Sequence, residues 1–334
     1  MSGANDSLAA GCVASLDPLV TISKREPHLP MGLAPSRPDL LADRQGLHLV
    51  GLTWTCESPY LIGEIARDFA AAAKALPRAK LVMVANTPLE SALLSQAGVP
   101  NLLANELIFV DERLFTVVPP QAPALARFDA ICVARLDAMK RHELAASVSN
   151  LVLVHGSPPP PDLARVRAVL PHARFANFER DPARYGYLSD QELVDLMNRA
   201  SVGRCLSAVE GSMRASMEYR LCGLPVVSTQ STGGRDRYLL GPHVRVVDDR
   251  PEAVAAAVSE LKAQAFGRLA VREFAGQLVA FDRHNFLLSL NKVVERDLGV
   301  RDRFRSFAPF VRYPVTWRAP EQILAPLTVQ APAA

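Results

Sequence analysis

The chain has 334 residues and a formal net charge of +3, and 49% of its residues are hydrophobic while 21% are charged. At about 150 residues per domain, this length indicates two domains, and the composition excludes a disordered chain. The small charge excess does not predict nucleic acid as a partner, whereas local positive charge leaves small anionic ligands open.

The first part of the chain predicts a short α/β domain. Residues 1–45 carry several prolines and weak periodicity, which predicts a poorly ordered N-terminal lead. Beyond them, the predicted strands are 47–54, 81–85 and 99–103, and the predicted helices are 60–76 and 89–97. Residues 46–120 contain only about three predicted strands and therefore predict a reduced domain. The Pro-rich segment 118–124 is predicted to be the linker to the next domain.

A second α/β series predicts a larger domain over residues 121–267. The predicted strands are 130–135, 151–155, 174–178, 202–206, 225–228 and 244–247. The predicted helices are 141–148, 161–170, 190–199, 213–222 and 251–265. Six strands joined by helical crossovers predict a doubly wound parallel sheet. Residues 268–334 predict helices and a tail that pack back towards the N-terminal domain.

Cysteine usage and hydropathy indicate the compartment. The five cysteines are scattered and form no Cys-x-x-Cys pair, which favours a reducing, cytoplasmic location. No run of 18 apolar residues occurs, so no membrane span is expected. The basic, aromatic segment 301–305 predicts a solvated surface, and the alternative is a peripheral contact with a membrane surface or polyanion.

Arg135 and Lys140 form the first candidate site. One predicted strand ends at Arg135, and the next predicted helix begins near Lys140. A guanidinium holds two phosphate oxygens, a lysine supplies a compact charge, and a helix N-terminus adds backbone N–H donors. These groups together predict a diphosphate site. The alternative is that both residues are ordinary surface charges.

Two glutamates, Glu210 and Glu218, form the second candidate site. Ser212 is predicted to cap the following helix, which places Glu210 in the loop before it and Glu218 within it. A carboxylate accepts two O–H donors, so one glutamate is expected to bind a sugar and the other a ribose. The alternative is that both are solvated.

Gly233 and Gly234 form the third candidate site, after the strand predicted at 225–228. Paired glycines permit close approach of the backbone to a ligand. A simple tight turn is the alternative.

These segments together resemble one known family, the group 1 (family 4) retaining glycosyltransferases. That family carries a Glu-x7-Glu motif followed by Cys-Gly-x-Pro-Val-Val, which Glu210, Glu218 and residues 222–227 match. Arg135 and Lys140 match its phosphate-binding arginine and lysine, which are also five residues apart. The resemblance covers about residues 127–258 and is thin over 47–118.

The resemblance implies a GT-B fold, an α/β architecture in which two Rossmann-like, doubly wound domains face a cleft, here with a reduced N-terminal domain. It implies transfer of a sugar from a nucleotide-diphosphate donor to an unknown saccharide, lipid or small-molecule acceptor, with retention and without metal or cofactor. The implied catalytic residues are Glu210, Arg135 and Lys140, and the implied donor-binding residues are Glu218, Gly211, Ser212, Met213, Tyr187, Leu188, Gly233 and Gly234.

The chain departs from the family pattern at three points. The glycine-rich loop that opens the N-terminal domain is not evident, and the acceptor-side histidine is unmatched, with Glu57 a weak substitute. The usual Glu-Gly-Phe-Gly is here Glu210-Gly211-Ser212-Met213. Two other functions stay open: a non-catalytic binding protein on a decayed GT-B scaffold, which the short N-terminal domain motivates, and a nucleotide-sugar epimerase.

Overall fold

The computed structural model describes residues 8–118, 127–156 and 162–328. The chain divides into two compact units, Met1–Phe109 with Ala280–Ala334, and Val110–Val279. The boundaries therefore fall near residues 110 and 280, whereas the sequence predicts them near 121 and 268. Apart from Val118, the predicted linker 118–124 lies outside the described residues.

From residue 8 to Phe109, the described N-terminal part of the first unit holds five strands and three α-helices. They are β1 (Ala9–Leu16), β2 (Leu19–Lys24), α1 (Pro38–Leu41), β3 (Gly46–Gly51), α2 (Pro59–Ala75), β4 (Ala79–Ala85), α3 (Pro88–Gln96) and β5 (Asn101–Leu103). The prediction of a poorly ordered lead is thus wrong for residues 8–45. The strand β2 is buried along almost its whole length and pairs in parallel with β3, which fixes this segment in the sheet.

The second unit alternates strands and helices. Its elements are β6 (Phe128–Val133), β7 (Leu151–Val154), α4 (Leu163–Val169), β8 (Arg174–Phe175), α5 (Asp190–Arg199), β9 (Ala200–Cys205), α6 (Arg214–Leu221), β10 (Val226–Thr229), β11 (Val244–Val247) and α7 (Pro251–Gln264). The helix predicted at 141–148 is wrong. Two short 3-10 turns, Ala138–Lys140 and His142–Ala145, replace it because Arg141 between them has a left-handed backbone with φ 46°.

The sheet of the second unit is entirely parallel, in the order β11-β10-β9-β6-β7-β8. The doubly wound sheet predicted from the sequence is confirmed. The strand order reverses between β6 and β9, where the crossovers on either side diverge. In open α/β sheets, ligands bind at the carboxyl ends of the strands beside such a reversal.

The C-terminal region adds α8 (Arg268–Leu298), β12 (Trp317–Arg318) and α9 (Pro320–Thr328). From Ala280 onward these residues belong to the first unit. Its core contains Ile323, Leu324 and Leu327 of α9. None of the helices in the described ranges is long and apolar enough to cross a membrane.

The first unit has a six-stranded sheet in the order β12-β1-β2-β3-β4-β5. The prediction of a domain reduced to about three strands is therefore wrong: β1 and β2 come from the supposed lead and β12 from the tail. The strands β2 to β5 are parallel and follow chain order, while β1 and β12 join antiparallel. This sheet, unlike the second, has no reversal among its parallel strands.

An aromatic cluster, formed by Phe109, Phe286, Phe307, Phe310 and Tyr313, packs in the first unit. Phe109 lies 5.7 Å from Phe286, 5.3 Å from Phe307 and 4.6 Å from Tyr313 between ring centroids. The Tyr313 hydroxyl lies where a Cβ on Gly51 of β3 would stand, so the absence of a side chain at Gly51 lets this cluster approach the sheet. Residues from both ends of the chain thus share one core.

His48 of β3 provides a pH-dependent test of this core. Burial lowers the pKa of His48 to about 4, and its Nδ1 lies 2.8 Å from Thr21 Oγ1. Between pH 6.5 and 4 the unfolded chain binds a proton at this site that the folded chain does not, so stability falls as pH falls. The expected loss is about 3 kcal/mol, because one pKa unit corresponds to about 1.4 kcal/mol.

Urea unfolding of the wild type and His48→Gln at pH 7 and pH 4 measures this effect. The free energy of unfolding of the variant should fall by about 3 kcal/mol less than that of the wild type. Equal losses in the two proteins would contradict a buried, neutral His48.

Candidate functional site

The carboxyl edge of the second sheet carries the basic residues predicted to bind a diphosphate. Arg135 follows β6, is partly exposed, and its Nε lies 3.1 Å from Asp137 Oδ2. Lys140 closes the 3-10 turn Ala138–Lys140 and is buried. Because that turn replaces the helix predicted at 141–148, the N–H donors that the sequence predicts at the start of that helix are not provided by an α-helix.

Lys140 and Glu210 form a close ion pair across the reversal between β6 and β9. The Lys140 Nζ lies 2.6 Å from Glu210 Oε1 and 2.7 Å from Oε2. The two side chains are only 9% and 14% exposed, so water screens the pair weakly. The structure thus joins two residues that are 70 positions apart.

The backbone of Glu210 is fixed by the loop that follows β10. Its N–H donates to Thr232 O at 3.0 Å, and its carbonyl accepts from Arg235 N at 3.3 Å. These two backbone hydrogen bonds help to keep the Glu210 carboxylate beside Lys140. The ion pair has no net charge, so attraction of a diphosphate to this edge depends also on the neighbouring arginines.

Glu218 lies on α6, where it is buried and paired. Its Oε1 lies 3.2 Å from Arg214 Nη2, and Arg214 Nη1 is buried with no hydrogen-bond partner in the described residues. The residue that caps α6 is Met213, which makes no side-chain cap bond, so the prediction that Ser212 caps this helix is wrong. The loop before α6 includes Gly211, which is buried.

The paired glycines begin a 3-10 turn after β10. Gly233 has φ 92°, a conformation that favours glycine, and it precedes the turn Gly234–Tyr238. Val209 and Thr232 form a parallel bridge, so this loop runs beside the loop that carries Glu210. The second and third candidate sites therefore lie at the same edge of the sheet.

The segment Gly186-Tyr187-Leu188 is held beside the carboxyl end of β7. Gly186 N donates to Asn177 O at 2.7 Å, and Asn177 Nδ2 donates to Gly186 O at 3.0 Å. Asn177 Oδ1 in turn accepts from the backbone N–H of His155, the residue after β7, at 2.8 Å. Tyr187 is exposed and Leu188 is half-buried.

Comparisons with known proteins bear on the fold. No protein-family model matches the sequence, and no curated protein matches it. Among solved structures, sucrose-phosphate synthase from Thermosynechococcus elongatus is 18% identical, with TM-score 0.50 over 77% of this chain and 68% of that chain. HepE from Anabaena, in complex with UDP-glucose, is 17% identical, with TM-score 0.50 over 77% and 72%.

A trehalose-phosphate synthase from Burkholderia xenovorans gives TM-score 0.53 at 13% identity, over 84% of this chain and 74% of that chain. The chain has the GT-B fold. At such identities the similarity is one of fold, because one fold hosts many activities. The fold alone does not identify the activity of this GT-B chain, so the activity is inferred from the residues at the carboxyl edges of its sheets.

Arg141 is a site residue that sequence reasoning missed. Its Nε donates to Leu206 O, its Nη1 to Asp249 Oδ2 and its Nη2 to Thr229 Oγ1, each at 2.6 Å. These bonds connect the loop after β6 to β9 and β10. Its left-handed backbone turns the side chain of Arg141 in this direction, and its position next to Lys140 is the only sequence signal for it.

Arg235 is the second missed residue, and it is wholly buried below the paired glycines. Its Nη1 donates to Ser207 O at 2.5 Å and to Cys205 O at 3.2 Å, its Nη2 donates to Thr229 O, and its Nε donates to Asp236 Oδ1 at 2.7 Å. This guanidinium holds the ends of β9 and β10 together. It therefore fixes the loops that carry Glu210 and Gly233.

The second unit also contains a fully buried arginine within its sheet. Arg204 of β9 is fully buried, and its three guanidinium nitrogens have no hydrogen-bond partner in the part of the chain that the structure describes. Although burial opposes ionisation of Cys132, the charges of Arg204 and His142 hold the pKa of that thiol below its ordinary value.

The first unit has its own ordered carboxyl edge. Glu90 of α3 is fully buried and accepts from Cys56 N at 2.8 Å and from Asn86 N at 2.7 Å. Glu57 Oε1 accepts from Thr87 Oγ1 at 2.6 Å. Glu57 therefore joins the loop after β3 to the start of α3, a structural contact that leaves its second oxygen to other partners.

Proposed function

We propose that this chain is a glycosyltransferase that moves a sugar from a nucleotide-diphosphate donor to an acceptor hydroxyl, with retention and without a metal ion. The observation that carries the proposal is the largely buried Lys140–Glu210 ion pair, which lies at the carboxyl edge of a doubly wound sheet, beside the reversal in strand order. The GT-B neighbour HepE, crystallised with UDP-glucose and with UDP, supports it.

Each candidate residue has a role in this proposal. Arg135 and Lys140 bind the diphosphate, Glu210 contacts the donor sugar, and Glu218 accepts the ribose hydroxyls. The surrounding donor contacts come from the backbone and side chains of Gly211, Ser212, Met213, Tyr187, Leu188, Gly233 and Gly234. A ligand phosphate beside Lys140 would share the ammonium with Glu210. The Glu210 carboxylate would then have acceptor capacity left for the sugar hydroxyls.

The proposed reaction breaks the bond between the anomeric carbon and the diphosphate oxygen. The electron pair leaves with the diphosphate, the acceptor oxygen forms the new bond, and the acceptor's proton passes to the departing diphosphate oxygen. Because charge develops on the departing diphosphate, cations held in place before the reaction lower the barrier. Lys140, Arg135 and Arg141 would supply this charge, so chelators are expected not to abolish transfer.

The proposal also includes a cytoplasmic location and a possible contact of segment 301–305 with a membrane surface. All five cysteines are free, and four of them are buried, which suits a reducing, cytoplasmic location. Arg301 pairs with Glu295 and Arg303 with Ser15 Oγ, and both arginines are exposed. Contact of this segment with a membrane surface stays a prediction.

Glu218 gives the sharpest binding test of the donor site. Glu218→Ala should weaken binding of the preferred nucleotide diphosphate about 30-fold or more, because loss of a buried charged hydrogen bond costs about 2–5 kcal/mol. Calorimetric titration with UDP, GDP and ADP measures this. Glu260→Ala, which removes an exposed glutamate paired with Arg245, is the matched control and should bind as the wild type does. Equal affinities in all three proteins would exclude Glu218 from the donor site.

Product analysis separates the proposed activity from the two alternatives. The protein is incubated with a panel of nucleotide sugars, with and without sugar acceptors, in the presence and absence of EDTA. Transfer or slow donor hydrolysis supports a transferase, whereas isomerised donor indicates an epimerase. Binding without turnover indicates a decayed scaffold, although the six-stranded sheet of the first unit removes the short domain that motivated this alternative.

A further inference from the structure

A cleft of about 700 Å³ lies in the first unit, beside the loop that follows α8. Three arginines line it, Arg301, Arg303 and Arg305, and they define the arginine cleft. Its volume falls within the range of about 300–1,000 Å³ that is typical of sites for small ligands. None of the residues proposed to bind the donor is among the residues that line it.

The loop that carries the three arginines is anchored by buried aromatic rings and by one side chain of α8. Phe304 and Phe307 are only 6% and 9% exposed, and their ring centroids lie 5.0 Å and 5.7 Å from that of Phe310. Phe304 N donates to Asn291 Oδ1, and Asn291 Nδ2 donates to Phe304 O, each at 2.9 Å. These contacts hold the loop backbone in place, while the arginines between and beside the rings stay exposed.

The protein itself uses only part of the donor capacity of these guanidinium groups. Arg301 Nε lies 2.6 Å from Glu295 Oε1, and the Arg301 side chain is 82% exposed. Arg303 Nε donates to Ser15 Oγ at 2.9 Å. Arg305 forms no hydrogen bond or ion pair with any residue that the structure describes. Because each guanidinium carries five N–H donors, most of the donors on the three side chains remain available to a ligand.

This arrangement suits a phosphate group better than a carboxylate. Arg301 and Arg305 are four residues apart, so their Cα atoms lie at most about 14 Å apart and their long side chains can reach one ligand. A phosphate monoester carries a charge of about −2 and three terminal oxygens, so several guanidinium groups can donate to it at once, whereas a carboxylate has two oxygens and one charge. Asp302 also lines the cleft, but three positive charges exceed its single negative charge. Ser306 Oγ accepts from Ala308 N at 3.1 Å, so its hydroxyl proton is free to donate.

The burial of the aromatic residues decides how this segment can contact a membrane. Insertion of a surface segment into a bilayer requires apolar side chains that are exposed in the free protein. Phe304 and Phe307 do not meet this condition, because both are buried in the aromatic cluster region of the first unit. A membrane would therefore be recognised through the phosphates of its headgroups, which is the same group that a soluble phosphorylated molecule presents.

We propose that the arginine cleft is a binding site for a phosphate group, carried either by a soluble phosphorylated molecule or by the headgroup of an anionic phospholipid. Arg303 and Arg305 donate to the phosphate oxygens, and Arg301 adds positive charge beside them. The inference goes beyond the proposed function and does not depend on it. Every residue that lines the cleft belongs to the first unit, and none is assigned to the donor.

Calorimetric titration with inorganic pyrophosphate tests the soluble source. The titration is made on Lys140→Ala, so that pyrophosphate bound at the proposed donor site does not obscure the cleft. Adding Arg303→Gln and Arg305→Gln should weaken pyrophosphate binding at least about tenfold, because both substitutions remove charged hydrogen bonds. The charge-matched control adds Arg67→Gln and Arg78→Gln instead, two exposed arginines of the first unit that do not line the cleft, and should bind pyrophosphate unchanged.

Sedimentation with phospholipid vesicles tests the lipid source. A lipid source predicts that the chain sediments with phosphatidylglycerol vesicles, which are anionic, and not with phosphatidylcholine vesicles, which have no net charge. Arg303→Gln with Arg305→Gln should abolish this binding, and the charge-matched control should retain it. Pyrophosphate binding without vesicle binding identifies a soluble ligand, whereas vesicle binding without pyrophosphate binding identifies a lipid headgroup.

The proposal is overturned if neither pyrophosphate nor phosphatidylglycerol binds, or if the cleft variant binds them as well as the charge-matched control does. Urea unfolding at pH 7 should give the same midpoint for the cleft variant and the control, because the substituted side chains are exposed, and lost binding then cannot result from unfolding. Arg305→Gln alone breaks no bond within the described residues, and it should still weaken pyrophosphate binding at least about threefold.

Discussion

Replacing Lys140 with alanine is expected to reduce sugar transfer at least about 100-fold, because it removes a positioned cation that faces the developing charge of the leaving diphosphate. The change also leaves the carboxylate of Glu210 without the ammonium that lies 2.6 Å away. An unpaired, largely buried carboxylate repels a diphosphate, so donor affinity should fall as well. Steady-state kinetics with the preferred donor, together with calorimetry, measures both effects.

Lys262→Ala is the matched control for this prediction. Lys262 of α7 also forms an ion pair, with Asp129 at 2.5 Å, but its side chain is 52% exposed and solvent screens the pair. We expect this control to transfer sugar at nearly the wild-type rate. In the Lys140→Ala background, Glu210→Gln should recover part of the donor affinity, since it removes the unpaired charge. A Lys140→Ala rate within about threefold of the wild type would exclude Lys140 from the reaction.

Replacing Arg235 with methionine is expected to lower the free energy of unfolding by about 3 kcal/mol or more. The buried guanidinium satisfies the carbonyls of Cys205, Ser207 and Thr229, and methionine provides no donor for any of them. Loss of these bonds should also loosen the loop that holds Glu210, so donor binding should weaken in parallel. Urea unfolding at constant pH gives the free energy.

Arg237→Met controls for the loss of an arginine from the same turn. Arg237 lies two residues further on and is exposed, so its replacement should change the free energy of unfolding by less than about 0.5 kcal/mol. Equal effects of the two substitutions would contradict the structural role given to Arg235.

The sequence predicts the second unit well for a physical reason. Parallel strands buried on both faces are continuous apolar runs, and 130–134 (Ala-Ile-Cys-Val-Ala) and 151–154 (Leu-Val-Leu-Val) are such runs. The strand β1, by contrast, consists largely of small residues, Ala-Ala-Gly-Cys-Val-Ala-Ser-Leu, and lies in a Pro-containing segment. The two-residue strand β12 pairs with β1 from the far end of the chain, and no local pattern indicates such a contact.

In the candidate site, too, the sequence predicts some features and does not predict others. The spacing of Glu210 and Glu218 and of Arg135 and Lys140 is visible in the sequence, and the structure pairs Lys140 with Glu210. The burial of Arg204 and Arg235 is not visible, because the sequence around an arginine does not distinguish a buried guanidinium from an exposed one. The helix predicted at 141–148 fails because left-handed Arg141 interrupts it, and its side chain gains three bonds to the neighbouring strands.

The position of a bound diphosphate tests the central claim most directly. The protein is crystallised with whichever of UDP, GDP or ADP raises its thermal stability most, since a ligand that binds only the folded state raises stability. The account predicts both phosphates within hydrogen-bond distance of Lys140 or Arg135, and the ribose hydroxyls at Glu218. A diphosphate bound elsewhere on the chain, with the Lys140–Glu210 pair untouched, would contradict it.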